Sequence, residues 1–465
     1  MHINSQLTKV GFTTRTATGL VWLVALALIT IFVQPAQAQT LEVIYNFTGG
    51  PDGDQPQAGL SMDQAGNLYG TTCGELGIEG GGPSSSGTVF KLSRKGSGWV
   101  FTRLYAFQGG MDGAGPCSRV IIGPDGNLYG TTVTGGANPG DCKWRDSFKG
   151  CGTVFKLSPP PNVPSSVMGN WTKTVLHYFN WSDGAFPILG DLTFDQAGSI
   201  YGTTWAGGTG IDGTVYKLTA TNDGWTESVL ANFGSNEHAG EFPTAGVVID
   251  AAGNIYGTTW YVAIGSCSSP LAYMGAVYQL TRSGPEWIEN DLYCFQGSGD
   301  GEMPFAGVVF DDHGNLYGAT TIDGPGDHDL RGGTLFKLDA SQGWAFNLLY
   351  HFRGDGFSST GTWTSLTPTD GPWGEKNFYG MTHRGGKYGG GTIFSWTYQC
   401  AGDTCDWQLN TLWDFGVVQN DGGGPISNLI FDADGYAYGT TTGGGTYNKG
   451  TVFRIYIGGA GQMKK

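Results

Sequence analysis

Apolar and polar positions alternate with a period of two in short runs along this chain. "NLYGTT" (67–72), "GTVFKL" (87–92) and "FTRLYAF" (101–107) are three such runs, separated by breaks rich in Gly, Asn, Asp and Ser. A period of two predicts strands, because successive side chains point to opposite faces. Beyond residue 38 no stretch sustains a period of about 3.6 residues, so helices are not expected. The breaks that precede the "LYG" runs read "QAGN", "PDGN", "QAGS", "AAGN" and "DHGN". Gly and Asn tolerate positive φ, so these breaks predict hairpin turns.

The runs recur as a unit. The phrase "GNLYGTT" stands at 66–72 and 126–132, with variants whose tyrosines are Tyr201, Tyr256, Tyr317, Tyr379 and Tyr438. From Tyr69 and Tyr129 onward the spacings are 60, 72, 55, 61, 62 and 59 residues. That period is too long for one coil of a solenoid and suits one blade of a propeller. Each repeat holds four runs, which in the first are Gly59–Asp63, Asn67–Thr72, Gly87–Leu92 and Phe101–Phe107. A spare copy of the fourth run, "LEVIYNF" (41–47), precedes the first repeat, and the seventh repeat stops after its third run, Thr451–Ile455. The expected fold is all-β: a seven-bladed β-propeller of four-stranded antiparallel blades, closed by residues 41–47 pairing with 450–456 in the last blade. Closure of that kind removes two exposed sheet edges. In this reading the repeated phrase is scaffold. Tyr69 fills the layer between blades with its hydroxyl satisfied, and Gly70 allows close approach of a neighbouring blade.

Composition narrows the class. The 82 glycines lack the collagen period, and 13% aromatic residues exclude a disordered chain. Lys9 and Arg15 precede an apolar run, Gly19–Val33, followed by Ala36-Gln37-Ala38. This has the form of a signal peptide over 1–38, leaving a single domain over 39–465 without a membrane span. The net charge of −15 becomes −17 when Lys9 and Arg15 leave. Such a surface repels phosphate backbones and argues against nucleic acid. The expected location is secreted, extracellular or periplasmic, as a monomer. Eight cysteines in an exported chain suggest disulfides. The repeat map pairs Cys73 with Cys117, Cys142 with Cys151, Cys267 with Cys294, and Cys400 with Cys405.

With "GNLYGTT…GG…GTVFKL" repeated over Leu41 to Ile455, the chain resembles the GloVer-type tandem-repeat family of exported bacterial proteins. The family name denotes tandem repeats with a choice of C-terminal surface anchors. This chain departs from that pattern in ending "IYIGGAGQMKK". The resemblance implies fold and export, and carries no catalytic residues.

Let the strands of a blade be a to d from the axis outward. Loops b–c and d–a then share one face. The b–c loops vary most, and loops on a rigid scaffold commonly carry binding. The position after each "YGTT" is Cys73, Val133, Trp205, Trp260, Thr321, His383 and Thr442. Trp205 and Trp260, with Tyr261 beside the latter, either stack on a ligand or cover the base of their loops. His383, next to Arg384, is the one histidine in this ring of positions. The d–a loops carry Asp-Gly at Asp52, Asp112, Asp183, Asp300, Asp355 and Asp421. Asp-Gly is a turn former, and the alternative is a Ca2+ site, which needs about 6–8 oxygens. Glu241 and Glu302 lie in d–a loops and could form a glycosidase pair only if the fold brought them together. No metalloprotease, hydrolase-elbow or nucleotide-loop motif occurs, and no glycine run has the strand-before, helix-after setting of a Rossmann fingerprint. The leading expectation is a binding or scaffold module for glycan or an envelope protein, without a cofactor. The alternatives are a propeller lyase or hydrolase acting on polysaccharide, and a structural envelope protein.

Overall fold

The computed structural model describes residues 40–74, 86–137, 142, 149–161, 171–234, 240–262, 274–297, 299–322, 332–352, 361–371, 376–401, 404–418 and 420–458. The signal-peptide segment lies outside them. Seven four-stranded antiparallel sheets form a ring, the seven-bladed propeller that the repeats predict. Blade 1 is Ser61–Met62, Leu68–Thr72, Thr88–Lys95 and Gly98–Ala106 as strands a to d. Blade 7 is Ile430–Phe431, Tyr436–Thr441 and Thr451–Tyr456, with Leu41–Asn46 as its strand d. The closing register runs from Leu41 opposite Ile455 to Asn46 opposite Thr451, with a bulge between Val43 and Tyr45. Blade 1 has its bulge at the equivalent place, where Val89 faces Tyr105 and Phe90 faces Arg103. The spare strand therefore copies its counterparts down to that irregularity, which re-aims the side chains beyond it. One extra pair, Gly240–Glu241 with Tyr261–Val262, stands outside the blades. Among the described residues no helix is long and apolar enough to cross a membrane.

Each letter of the "YGTT" phrase makes a separate contact. The Tyr69 hydroxyl donates to Asp63 Oδ2 at 3.0 Å across the a–b turn. Asp63 also accepts from the Ala65 and Asn67 amides, at 2.9 Å each. Burial opposes ionisation of Asp63, but these hydrogen bonds outweigh it and hold the carboxyl below its ordinary value. Tyr201, Tyr256 and Tyr438 repeat the contact with Asp195, Asp250 and Asp432. Blade 2 reaches it differently. Gly123 stands where the others have Asp, and Asp125 receives the Tyr129 hydroxyl at 2.8 Å. A Cβ on Gly123 would lie 2.4 Å from Tyr129 and 2.9 Å from Asp125 Oδ1, so the glycine clears the space that the displaced carboxylate needs.

The glycine of the phrase has a different neighbour from the expected one. A Cβ on Gly70 would lie 2.5 Å from Cζ of Phe90, the residue directly opposite in strand c of the same blade. The close approach is within the sheet, not to a neighbouring blade. The first threonine joins blades: Thr71 Oγ1 donates to Ser118 O at 3.1 Å, and Thr440 Oγ1 to Ala58 O at 3.0 Å, which carries the series across the ring closure. The second threonine bonds to the first threonine of strand c, as in Thr72–Thr88, Thr204–Thr214 and Thr441–Thr451, at 2.8 Å each. Strand a is shorter than expected, only Ser61–Met62 of the run Gly59–Asp63. Its end, Asp63, is recruited by the turn.

The layers between blades are aromatic. Phe90 stacks on Phe101 of its own strand d, as Phe336 does on Phe346. Blades 3 and 4 replace this pairing with Tyr216 and Glu227, and with Tyr278 and Glu289. Both tyrosine hydroxyls are fully buried and make no hydrogen bond. Burial pushes the Glu227 carboxyl up to about 7, with Asp183 adding and His177 opposing. Burial and then Asp291 push Glu289 up to about 8.

Disulfides join Cys73 to Cys117 and Cys142 to Cys151, as expected. Cys400 is disulfide-bonded and its strand register sets it opposite Cys405. Cys294 is disulfide-bonded too, and Cys267 lies outside the described residues.

Two outcomes are expected. Blade 4 alone among the seven repeats has Ala276 where strand c elsewhere begins with Thr, and Thr259 Oγ1 makes no hydrogen bond there. Ala276→Thr restores the pair and should add about 1 kcal/mol of stability, read as a higher denaturation midpoint. An unchanged or lower midpoint would show that the site cannot accept the hydroxyl. Glu289 has a folded pKa above its unfolded one, so its stabilising contribution is full below the unfolded value and fades as pH rises through about 8. The melting temperature should fall between about pH 5 and about pH 9, and Glu289→Gln should flatten that fall. Parallel wild-type and variant curves would assign the decline to other groups.

Candidate functional site

The d–a connections build one face of the ring from a repeated kink. Gln55, Phe186, Phe242 and Met303 adopt φ of 52°, 57°, 58° and 55°, and each precedes a proline. Gly115 and Gly424 hold the same place with φ of 68° and 64°. Where the connection carries a proline, it crowds the glycine on which strand c opens: a Cβ on Gly87 would lie 2.4 Å from Pro116 Cδ, and one on Gly213 2.7 Å from Pro243 Cδ. The kinked residues' carbonyls accept from the residue after "YGTT". Trp205 N donates to Phe186 O at 3.0 Å and Trp260 N to Phe242 O at 3.1 Å. The variable ring read from the sequence is thus tied to a second ring, that of the pre-proline residues. A left-handed backbone costs an L-residue about 1–2 kcal/mol relative to glycine. Four connections keep a side chain there all the same.

On blades 3 to 6 these two rings merge into a continuous aromatic arc. Trp205 lies 5.0 Å from Phe242 between ring centroids, and Phe242 meets Tyr261 edge-on at 5.9 Å. Tyr261 stacks on Trp260 at 4.7 Å, and Trp260 meets Phe305 at 5.7 Å. Phe305 continues to Trp363 at 4.8 Å, and Trp363 to His383 at 5.2 Å. Trp205, Phe242, Trp260, Tyr261 and Trp363 are half-buried. Phe305 and Trp363 also line a cavity of about 180 Å³ to which all seven blades contribute. Within it Arg119 pairs with Asp191, Nη2 to Oδ2 at 3.0 Å, and the Arg119 amide donates to the same carboxylate at 3.1 Å.

Trp205, Trp260 and Tyr261 therefore stand together in space. His383 joins them but is 7% exposed, while its neighbour Arg384 is exposed. Phe242, Phe305 and Trp363 were not singled out from the sequence. For Phe242 and Phe305 the available signal was a hydrophobic residue flanking proline in successive d–a loops, visible as "EFP" and "EMPF"; Trp363 has no such proline. Glu241 pairs with Tyr261 in the extra two-stranded element, and burial, then Asp212, pushes its carboxyl up. Glu302 is buried in the next connection.

The d–a aspartates belong to different junctions, and each described one engages its own loop. Asp52 accepts from the Tyr45 hydroxyl at 3.0 Å and the Thr48 amide at 2.9 Å. Asp112 accepts from the Tyr105 hydroxyl at 2.6 Å, and Asp300 from that of Tyr293 at 2.8 Å. Asp421 accepts from the Gly416 amide at 3.0 Å, and Asp183 from the Asn180 amide at 2.9 Å. Asp355 lies outside the described residues. Among the described residues, His177, Asp183 and Glu227 bring metal-ligating atoms together, within 4.8 Å of one another.

A family model described as the Gloeobacter/Verrucomicrobia repeat matches residues 30–164 and 142–373. No curated protein matches the chain. Among solved structures, an ulvan lyase described as a new family of polysaccharide lyase is similar at 9% identity and a TM-score of 0.50, covering 91% of this chain and 95% of that one. A protein of unknown function from Dyadobacter fermentans is similar at 10% identity and a TM-score of 0.42, covering 91% of this chain and 100% of that one. The Trypanosoma rangeli sialidase is similar at 10% identity and a TM-score of 0.41, covering 79% of this chain and 58% of that one. At these identities the likenesses concern the fold alone.

Proposed function

The chain belongs to the Gloeobacter/Verrucomicrobia repeat family, and from that premise we propose that it is an exported propeller that binds a neutral polysaccharide along the arc from Trp205 to His383. The arc is the observation that carries this reading. Sugar rings present apolar C–H faces that lie on aromatic rings, while their hydroxyls take hydrogen bonds from the polar groups nearby. Side chains strung over four blades suit an extended polymer better than a single sugar. Phe242 supports the assignment, because its side chain is retained in a backbone conformation that glycine adopts at lower cost. The net charge of −15 favours a neutral glycan over a sulfated or uronic one, which the surface would repel. Disulfides fit an oxidising, extracytoplasmic location.

The test is a glycan array with residues 39–465, run beside a polysaccharide-cleavage screen. Trp205→Ala and Trp260→Ala should each weaken binding by about tenfold or more, with the melting transition nearly unchanged. Loss of folding would make both tryptophans packing residues. Binding that survives both substitutions would place the site elsewhere, and released oligosaccharides would replace the binding reading with a catalytic one.

A further inference from the structure

Where one blade meets the next, three side chains converge: one near the end of strand d, the aspartate of the following d–a connection, and a strand-d residue of the next blade. Between blades 7 and 1, Tyr45 donates to Asp52 and stacks on Phe101 at 4.5 Å. Between blades 4 and 5, Tyr293 donates to Asp300 and stacks on Phe346 at 4.3 Å. Between blades 1 and 2, Tyr105 donates to Asp112, and Lys173 Nζ approaches the same carboxylate at 2.7 Å. In each, a hydroxyl serves the aspartate, and the third residue is aromatic or cationic.

The junction between blades 2 and 3 departs from these three at two of the three positions. His177 takes the place of the tyrosine and Glu227 that of the aromatic residue or lysine. His177 Nε2 stands 3.3 Å from Asp183 Oδ2 without hydrogen-bond geometry. His177 Nε2 and Glu227 Oε1 are both shielded from solvent, and neither makes a hydrogen bond. Two carboxylates and an imidazole thus converge at a half-buried position, with one imidazole nitrogen and one carboxylate oxygen shielded from solvent. Such an arrangement is costly unless a cation completes it. Asp183 is held in place from behind, since Asn180 donates to it through its amide at 2.9 Å and through Nδ2 at 2.5 Å. That is the backing a ligating carboxylate needs.

We propose that His177, Asp183 and Glu227 form a three-ligand site for Zn2+. The donor set decides the ion. An imidazole nitrogen with two carboxylates matches Zn2+, whereas Ca2+ and Mg2+ favour oxygen-only shells with more ligands. Three protein ligands leave a fourth tetrahedral position for water. The ion joins strand d of blade 2, the connection that follows it, and strand d of blade 3, in place of the tyrosine–aspartate contact used at the three junctions above. This site is independent of the aromatic arc and of what the arc binds.

The other junctions also supply the test. Residues 39–465 with disulfides intact are stripped with a chelator, dialysed and titrated calorimetrically with Zn2+, and separately with Ca2+ and Mg2+. Wild type should bind one Zn2+ per chain and melt at a higher temperature with it. His177→Tyr and Glu227→Phe install residues that this fold already accepts at equivalent positions. Each should weaken Zn2+ binding by about a hundredfold, since even outer partners of a ligand are worth about 10–100-fold. Melting of the metal-free variants should match or exceed that of the metal-free wild type. Wild type taking up no Zn2+, His177→Tyr binding as tightly as wild type, or Ca2+ binding more tightly than Zn2+ would each overturn the site. If His177→Tyr fails to fold, His177→Gln replaces it in the same comparison.

Discussion

The backbone ladder between Leu41–Asn46 and Thr451–Tyr456 is the constraint on which the rest of the ring depends. Every other blade is one continuous stretch of chain, so its four strands are joined by hairpins. Blade 7 alone takes its outer strand from the far end of the sequence. Without it, Thr451–Tyr456 would present an open edge, the usual template for aggregation. The same strand sets Phe47 against Phe90 at 5.2 Å and Tyr45 against Phe101 at 4.5 Å. Closure therefore supplies a packed layer as well as hydrogen bonds. Blade 1 has the same kind of neighbour as the others because of it.

The ring was legible in the sequence because a period of two and a period near 60 residues are both visible in one dimension. So was the closure, because the spare run is a near copy of its counterparts. What each letter of the repeat does was less accessible. Alternation puts Tyr69 and Gly70 on opposite faces, but says nothing about what each face meets. That Gly70 lies under the ring of Phe90 depends on the strand register, which pairs the two residues directly. That Tyr69 caps Asp63 depends on a turn that brings residues six apart into contact. The exchange in blade 2, Gly123 with Asp125, keeps the contact while moving the carboxylate two positions, which a fixed motif would miss.

The proposed binding face was half legible, for the same reason. Trp205 and Trp260 stand out because they follow a constant phrase. Phe242, Phe305 and Trp363 lie in connections with no periodicity, and only the ring brings them beside the tryptophans. The aspartates show the opposite case. Asp-Gly was legible as turn chemistry, but the partner of Asp52 is Tyr45, seven residues back, and the bulge between Val43 and Tyr45 precedes that tyrosine in its strand.

A sevenfold scaffold carries its own controls, because each position can be compared with its equivalents under nearly the same packing. Some departures are repaired locally, as Gly123 is by Asp125. Others leave a defect and add no group that could bind: Ala276 leaves Thr259 without a partner. Those read as drift that the fold tolerates. A third kind keeps a costly feature and gathers functional groups around it. Phe242 keeps its side chain in a left-handed backbone inside a run of aromatic rings. His177 and Glu227 place two polar atoms that make no hydrogen bond beside a carboxylate, where the junctions 7–1, 1–2 and 4–5 place a tyrosine and an aromatic ring or a lysine. Repair and drift account for the first two kinds within the protein alone. For the third, the two proposals supply the balancing interaction from outside the chain: a ligand surface in one case, an ion in the other.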